Sequence, residues 1–139
     1  MAEHSGTPEL TEEQLEFLHS MLDLARSGKS AELLEFIDQG VPVNLTNAQG
    51  DSLLILAAYN DHAELVRGLL ERGVDVDRIN DRGQTALGCA VFRQNHAITR
   101  DLLAAGADPR RGGQNAYAVI DMFGLDSMRA LLKEHPGTA

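Results

Sequence analysis

Residues 47–79 read NAQGDSLLILAAYNDHAELVRGLLERGVDVDRI, and residues 80–111 continue with NDRGQTALGCAVFRQNHAITRDLLAAGADPRR. Set one beneath the other at an offset of 33, Asn47 falls on Asn80, Gly50 on Gly83, Leu54 on Leu87 and Ala57 on Ala90. Gly40, Gly73 and Gly106 keep the same spacing, and each follows an apolar pair by three positions: Phe36-Ile37, Leu69-Leu70 and Leu102-Leu103. So many coincidences at one period mark a repeat, which makes the chain a stack of similar units.

Each unit reads as a turn followed by two short helices. In residues 47–79 the spacing predicts an inner helix from Ser52 to Asn60 and an outer helix from Ala63 to Arg72. Asp61 is placed to accept hydrogen bonds from the free amides opening the outer helix, with Glu64 completing a capping-box-like pair. Gly73 ends that helix, since glycine takes the left-handed cap conformation without steric cost. Leu65, Val66, Leu69 and Leu70 mark one buried face of the outer helix. The inner helix is apolar all round from Leu53 to Tyr59, as expected of an element wedged between neighbours, and Ala57 and Ala58 let successive helices approach closely. No unit buries these faces alone, so stability must come from stacking.

The two segments resemble ankyrin repeats. The signposts G-x-T-P-L-H-x-A-A, G-H and L-L-x-x-G-A are met in the first by Gly50, Ser52, Leu54, Ala57, Ala58, His62, Leu69, Leu70 and Gly73. In the second they are met by Gly83, Thr85, Leu87, Ala90, Leu102, Leu103, Gly106, Ala107 and Asp108. The resemblance implies an all-α ankyrin-repeat solenoid of four helix-turn-helix repeats, two central full repeats between two divergent capping repeats. The expected repeats run over about 11–46, 47–79, 80–111 and 112–135. Together they form one domain from 11 to 135, with a flexible tail over 1–10 and a second over 136–139. The first inner helix starts with Thr11 and Gln14 as a capping box, and its outer partner runs from about Ser30 to Gln39. The last pair is expected over Gln114 to Phe123 and Leu125 to His135. Leu131-Leu132 follow Leu102-Leu103 by 29 residues, so four residues are expected to be missing from a short finger near Pro109 to Gly113. Leu53 and Ile55 in one central repeat, and Ala86 and Gly88 in the other, stand where the family has Pro and His. These departures imply moderate stability. The size also looks like the small stand-alone ankyrin proteins of bacteria.

Composition sets the function classes. Hydrophobic residues make up 43% and charged residues 24% of the 139, which suits a folded domain and not a disordered chain. The longest apolar run, Leu53 to Tyr59, is far short of the ~20 residues of a membrane span. Met1 to Gly6 lack the features of a secretory signal. Cys89 is the sole cysteine, so no internal disulfide forms and a reducing cytoplasm is expected. A net charge of −9 with 4% aromatics argues against nucleic acid as a ligand.

The chemical motifs reduce to structure. SGKS at Ser27 to Ser30 resembles the end of a phosphate-binding loop but has Asp23 where that motif needs glycine, so it reads as an interhelical turn at Gly28. The histidines are scattered without metal-ligand spacing, and His62 is read as a packing and hydrogen-bonding residue. Cys89 reads as a small core residue, and Asp75, Asp77 and Asp81 as solvated loop acids. With no nucleophile, base and oxyanion donors converging, no catalysis, metal, cofactor or small-molecule substrate is expected.

The resemblance implies that another protein binds through the turn tips and the concave face of the inner helices. The positions carried over are Thr46, Ala48, Gln49 and Asp51, then Ile79, Asp81, Arg82 and Gln84, with Tyr59, Asn60, Phe92 and Arg93 at the inner-helix ends. Tyr59 and Phe92 occupy equivalent places one repeat apart, and such rings either anchor a partner or cover the stack. The expected role is scaffolding or regulation; the alternative is an inhibitor or immunity-type protein masking a basic target surface.

Overall fold

Among the described residues, the stacking that the repeat demands is built from eight helices. The structure, a computed structural model, describes residues 10–134, so the expected tails, Leu10 apart, and the end of the last helix at His135 lie outside the described residues. The inner helices are α1 (Glu12–Ser27), α3 (Leu53–Tyr59), α5 (Ala86–Phe92) and α7 (Ala116–Phe123). The outer ones are α2 (Ser30–Asp38), α4 (Ala63–Glu71), α6 (His96–Ala104) and α8 (Asp126–Lys133). Each inner helix packs on the next inner helix, each outer on the next outer, and every pair closes on itself. Among the described residues there is no strand, only two isolated bridges, Thr46 with Ser52 and Gln84 with Gln114.

Short polar side chains start the inner helices. Thr11 accepts from the amide of Gln14 at 3.0 Å while the Gln14 side chain accepts from Thr11 N–H at 2.9 Å, the expected capping box. Ser52, Thr85 and Asn115 likewise accept from the amides of Ile55, Gly88 and Ala118. Each such cap is worth about 1 kcal/mol. Asn115 in that role moves the start of α7 to Ala116, two residues later than expected.

Two expectations are corrected. Asp61 does not cap α4: it sits in the left-handed region at φ 65°, His62 takes the cap position, and no side chain bonds the first amides. The Asp61 carboxylate turns instead to the next repeat. The spacing also differs at the C-terminal end. Helices recur at 33 residues from α3 to α5 and from α4 to α6, but at 30 from α5 to α7 and from α6 to α8. Three residues are therefore missing, not four, and all of them from the finger before Asn115. Leu131-Leu132 misled because α8 buries Met128, Leu131 and Leu132 where α6 buries Ile98, Thr99, Leu102 and Leu103, a stripe turned by about one position.

The core is continuous through all four repeats, with Leu33, Leu54, Leu65, Leu87, Ile98, Leu102 and Ile120 at 1% exposure or less. Each such side chain contributes about 1.5–3 kcal/mol by leaving water. Ala57 and Ala90, one period apart, are fully buried where neighbouring helices meet. Polar latches tie the repeats together: Asn44 accepts from the amide of Asp75 at 2.8 Å, and Asp77 from that of Asp108 at 2.9 Å. Asp77 is thus part of the frame and more than a solvated loop acid. His62 behaves as expected: its Nε2 lies 2.7 Å from the carbonyl of Arg26, and its ring covers Gly28, where a Cβ would lie 2.5 Å from Nδ1. Gly28, at φ 73°, ends α1, and Ser30 opens α2, the interhelical turn read in SGKS.

Candidate functional site

The C-terminal ends of the inner helices carry an aromatic ladder. Tyr59 ends α3 and Phe92 ends α5, and the 33-residue period sets their rings 6.3 Å apart and nearly parallel, at 4°. Phe123, at the end of α7, meets Phe92 edge-on at 5.3 Å. Tyr59 is 44% and Phe92 40% exposed, and Phe123 and Met122 are more exposed still. Aromatic pairs at these separations attract one another, which holds the rings in a row without burying them.

Beside the ladder α5 and α7 leave a groove of about 200 Å³, floored by Gly88, Cys89 and Val119 and walled by Phe92, Met122 and Gln114. The groove follows from residue size. Ile55 and Leu56 of α3 are replaced one period later by Gly88 and Cys89. Gly88 also admits the neighbouring finger, since a Cβ there would lie 2.8 Å from the Gln114 carbonyl oxygen. A second, more polar hollow of about 260 Å³ lies between Tyr59, Ile55, Asp51, Arg82 and Gln84. Cys89 reaches both but is itself buried, and burial, with Asp51 adding to it, pushes the thiol up to about 12, so it stays protonated and unreactive.

Charge frames the ladder. Arg93 lies 5.7 Å from the Tyr59 ring centre and reaches Asp61 at 2.8 and 3.1 Å, while Asn95 donates to the other Asp61 oxygen at 3.1 Å. Partial burial works to raise the Asp61 carboxyl, but the hydrogen bonds from Asn95 and Arg93 and the guanidinium charge outweigh it and hold the group below the usual carboxylate range. Arg82 is exposed, with Asp51 at 3.9 Å.

The carried-over positions divide. Tyr59, Phe92, Arg93, Arg82 and Gln84 gather around the groove and the hollow. Ala48, Gln49 and Asp81 are exposed at finger tips, and Thr46 and Ile79 are half-buried at finger bases. Asp51 is held by Asn47 and Asn80, and Asn60 turns its amide onto the carbonyl of Leu56, so both serve the frame. Sequence reasoning missed Phe123, Met122, Val119 and Gln114. Counting 30 residues from Phe92 would have reached Met122.

Among the described residues no group of three or more His, Cys, Asp or Glu is placed to hold a metal ion, and no helix is long and apolar enough to cross a membrane. The chain is similar to an ankyrin repeat protein of Pseudomonas aeruginosa, 52% identical over 63 residues, which are 45% of this chain and 37% of that protein. A family model described as ankyrin repeats (3 copies) matches residues 21–112. Helix pairs, finger turns and sequence agree, and the chain belongs to the ankyrin repeat family.

Proposed function

We propose that this chain binds a partner protein in a scaffolding or regulatory role, gripping an apolar side chain of the partner in the groove between α5 and α7 with Tyr59, Phe92 and Phe123 as the anchoring wall. Ankyrin repeats are in general protein-interaction modules and a non-catalytic fold. The observation that carries the reading is the ladder itself: three aromatic rings in contact with one another and open to solvent beside an apolar hollow. Aromatic anchors next to arginine, around an apolar pocket, are the composition of binding hot spots. Arg82, Arg93 and Gln84 provide the polar rim. A lone cysteine kept as a thiol suits a reducing compartment such as the cytoplasm.

The test replaces Tyr59 and Phe92 together with alanine and follows thermal melting alongside capture of partner proteins identified by mass spectrometry. Folding is expected to survive, with specific partners lost and binding weakened by at least about tenfold. A large drop in melting temperature would instead make the ladder a packing device and overturn the reading.

A further inference from the structure

The opposite end of the stack carries a second, independent surface. α1 spans 16 residues where α3 and α5 span 7, so its first half extends past the helix pair that follows. An end repeat normally turns a polar side outward. Here Leu10 is 50% and Phe17 42% exposed, and Leu10, Gln14, Phe17 and Leu18 line a shallow apolar groove along α1 at helical spacing. A second hollow continues from Phe17 across Phe36 to Val41 at the end of α2, with Phe17 and Phe36 edge-to-face at 5.3 Å.

The rim of this face is carboxylate. Residues 10–46 hold seven Asp and Glu against two basic residues, Arg26 and Lys29, a net −5. Arg26 is already paired with Asp23 at 2.8 Å. Glu13 and Gln14 line the α1 groove, and Glu32 and Glu35 stand beside Phe36. By contrast residues 80–111 hold five Arg against three Asp, a net +2. Asp38 is paired as well, with Arg72 at 2.8 Å, so the carboxylates set beside the uncovered apolar side chains of this face are Glu13, Glu32 and Glu35.

We infer that this end face docks a basic amphipathic helix of another protein, its apolar stripe seated along Leu10, Phe17 and Phe36 and its Lys and Arg residues meeting the carboxylates of α1 and α2. An apolar seam at helical spacing suits a helical occupant, because two helices pack side by side through such stripes. The charge selects its sign: an acidic helix, or a second copy of this same face, would bring like charges together at close range. The inference does not depend on the aromatic ladder, which lies at the other end of the inner helices.

The probe is a synthetic amphipathic helix of lysine and leucine, compared with the same peptide carrying glutamate for lysine and with one carrying alanine for leucine. Binding to the full chain is read by fluorescence anisotropy and located by amide chemical shifts. The lysine–leucine peptide is expected to bind with shifts confined to residues 10–46, to weaken at least about tenfold when either its leucines or its lysines are replaced, and to weaken as salt rises. A Leu10→Ala variant and a Glu13→Lys/Glu35→Lys variant should each weaken it severalfold while the shifts of residues 80–111 stay in place. Equal binding of the glutamate peptide, shifts centred on the ladder, or concentration-dependent dimerisation through α1 in sedimentation would each overturn the inference.

Discussion

The two central repeats share an outline but are filled differently. α3, LLILAAY, presents large side chains on every side, and Leu53 to Ala58 are all buried. α5, ALGCAVF, sits one period on with Ala86 for Leu53, Gly88 for Ile55 and Cys89 for Leu56, and the volume it gives up opens the groove beside α7. The outer helices reverse the balance in capping: α6 is capped by Asn95, which accepts from the amide of Ile98, whereas α4 has no side-chain cap. Val66 in α4 corresponds to Thr99 in α6, a fully buried hydroxyl without a hydrogen-bond partner among the described residues. Both inner helices are thus buried, α3 with large side chains and α5 with small ones that leave the groove beside α7.

If the shared outline is what holds the stack, the largest effect should be the same in both repeats. Ala57→Arg and Ala90→Arg each drive a charge into a fully buried interface, and each should cost at least about 4 kcal/mol, enough to abolish a cooperative thermal transition. A folded Ala57→Arg protein in circular dichroism melts would refute the packing described for α3. The next effect separates the repeats. Gly88→Ala gains helix propensity but meets the Gln114 backbone, so a net loss of about 1–2 kcal/mol is expected by chemical denaturation. A gain in stability would mean that Gly88 is not needed for the close approach of the finger. Thr99→Val runs the other way. It makes α6 resemble α4 and removes an orphaned hydroxyl, so a gain of about 1 kcal/mol is expected; a loss would show that the hydroxyl has a partner in solution.

The contrast also shows what could be read in advance. The period, the helix pairs and the stacking follow from residues that recur at 33 positions and are buried each time, as Ala57 with Ala90 and Leu54 with Leu87, on helices that pack together. The ladder was legible in part for the same reason: Tyr59 and Phe92 are one period apart. Phe123 and Met122 were not legible, because the shortened finger breaks the register and the terminal helix α8 turns its apolar stripe. The groove was invisible as well. Gly88 and Cys89 read as weak helix residues, and only the neighbouring α7 turns their small size into a cavity. Asp61 failed for a local reason, since a carboxylate at a helix start has two uses and Arg93 and Asn95, 32 and 34 residues away, decided between them.

The smallest effect concerns that turn. The residue linking inner to outer helix is left-handed in all four repeats: Gly28 at φ 73°, Asp61 at 65°, Gln94 at 56° and Gly124 at 67°. A non-glycine residue there costs about 1 kcal/mol. Asp61 offsets the strain through Arg93 and Asn95, while the exposed Gln94 side chain makes no hydrogen bond among the described residues. Gln94→Gly should therefore stabilise the chain by a few tenths to about 1 kcal/mol, and Asp61→Gly should leave stability at neutral pH nearly unchanged. Acid tells the two apart. Because the Asp61 carboxyl is lowered in the folded state, its contribution is present above the ordinary carboxylate pKa and is lost as pH falls through the lowered value. Asp61→Gly should thus flatten the stability profile below about pH 4, by no more than about 1 kcal/mol, while Gln94→Gly shifts the profile without changing its shape. Parallel profiles for all three proteins would mean that the Arg93 bridge does not stabilise the turn, and the two central repeats would then differ in packing alone.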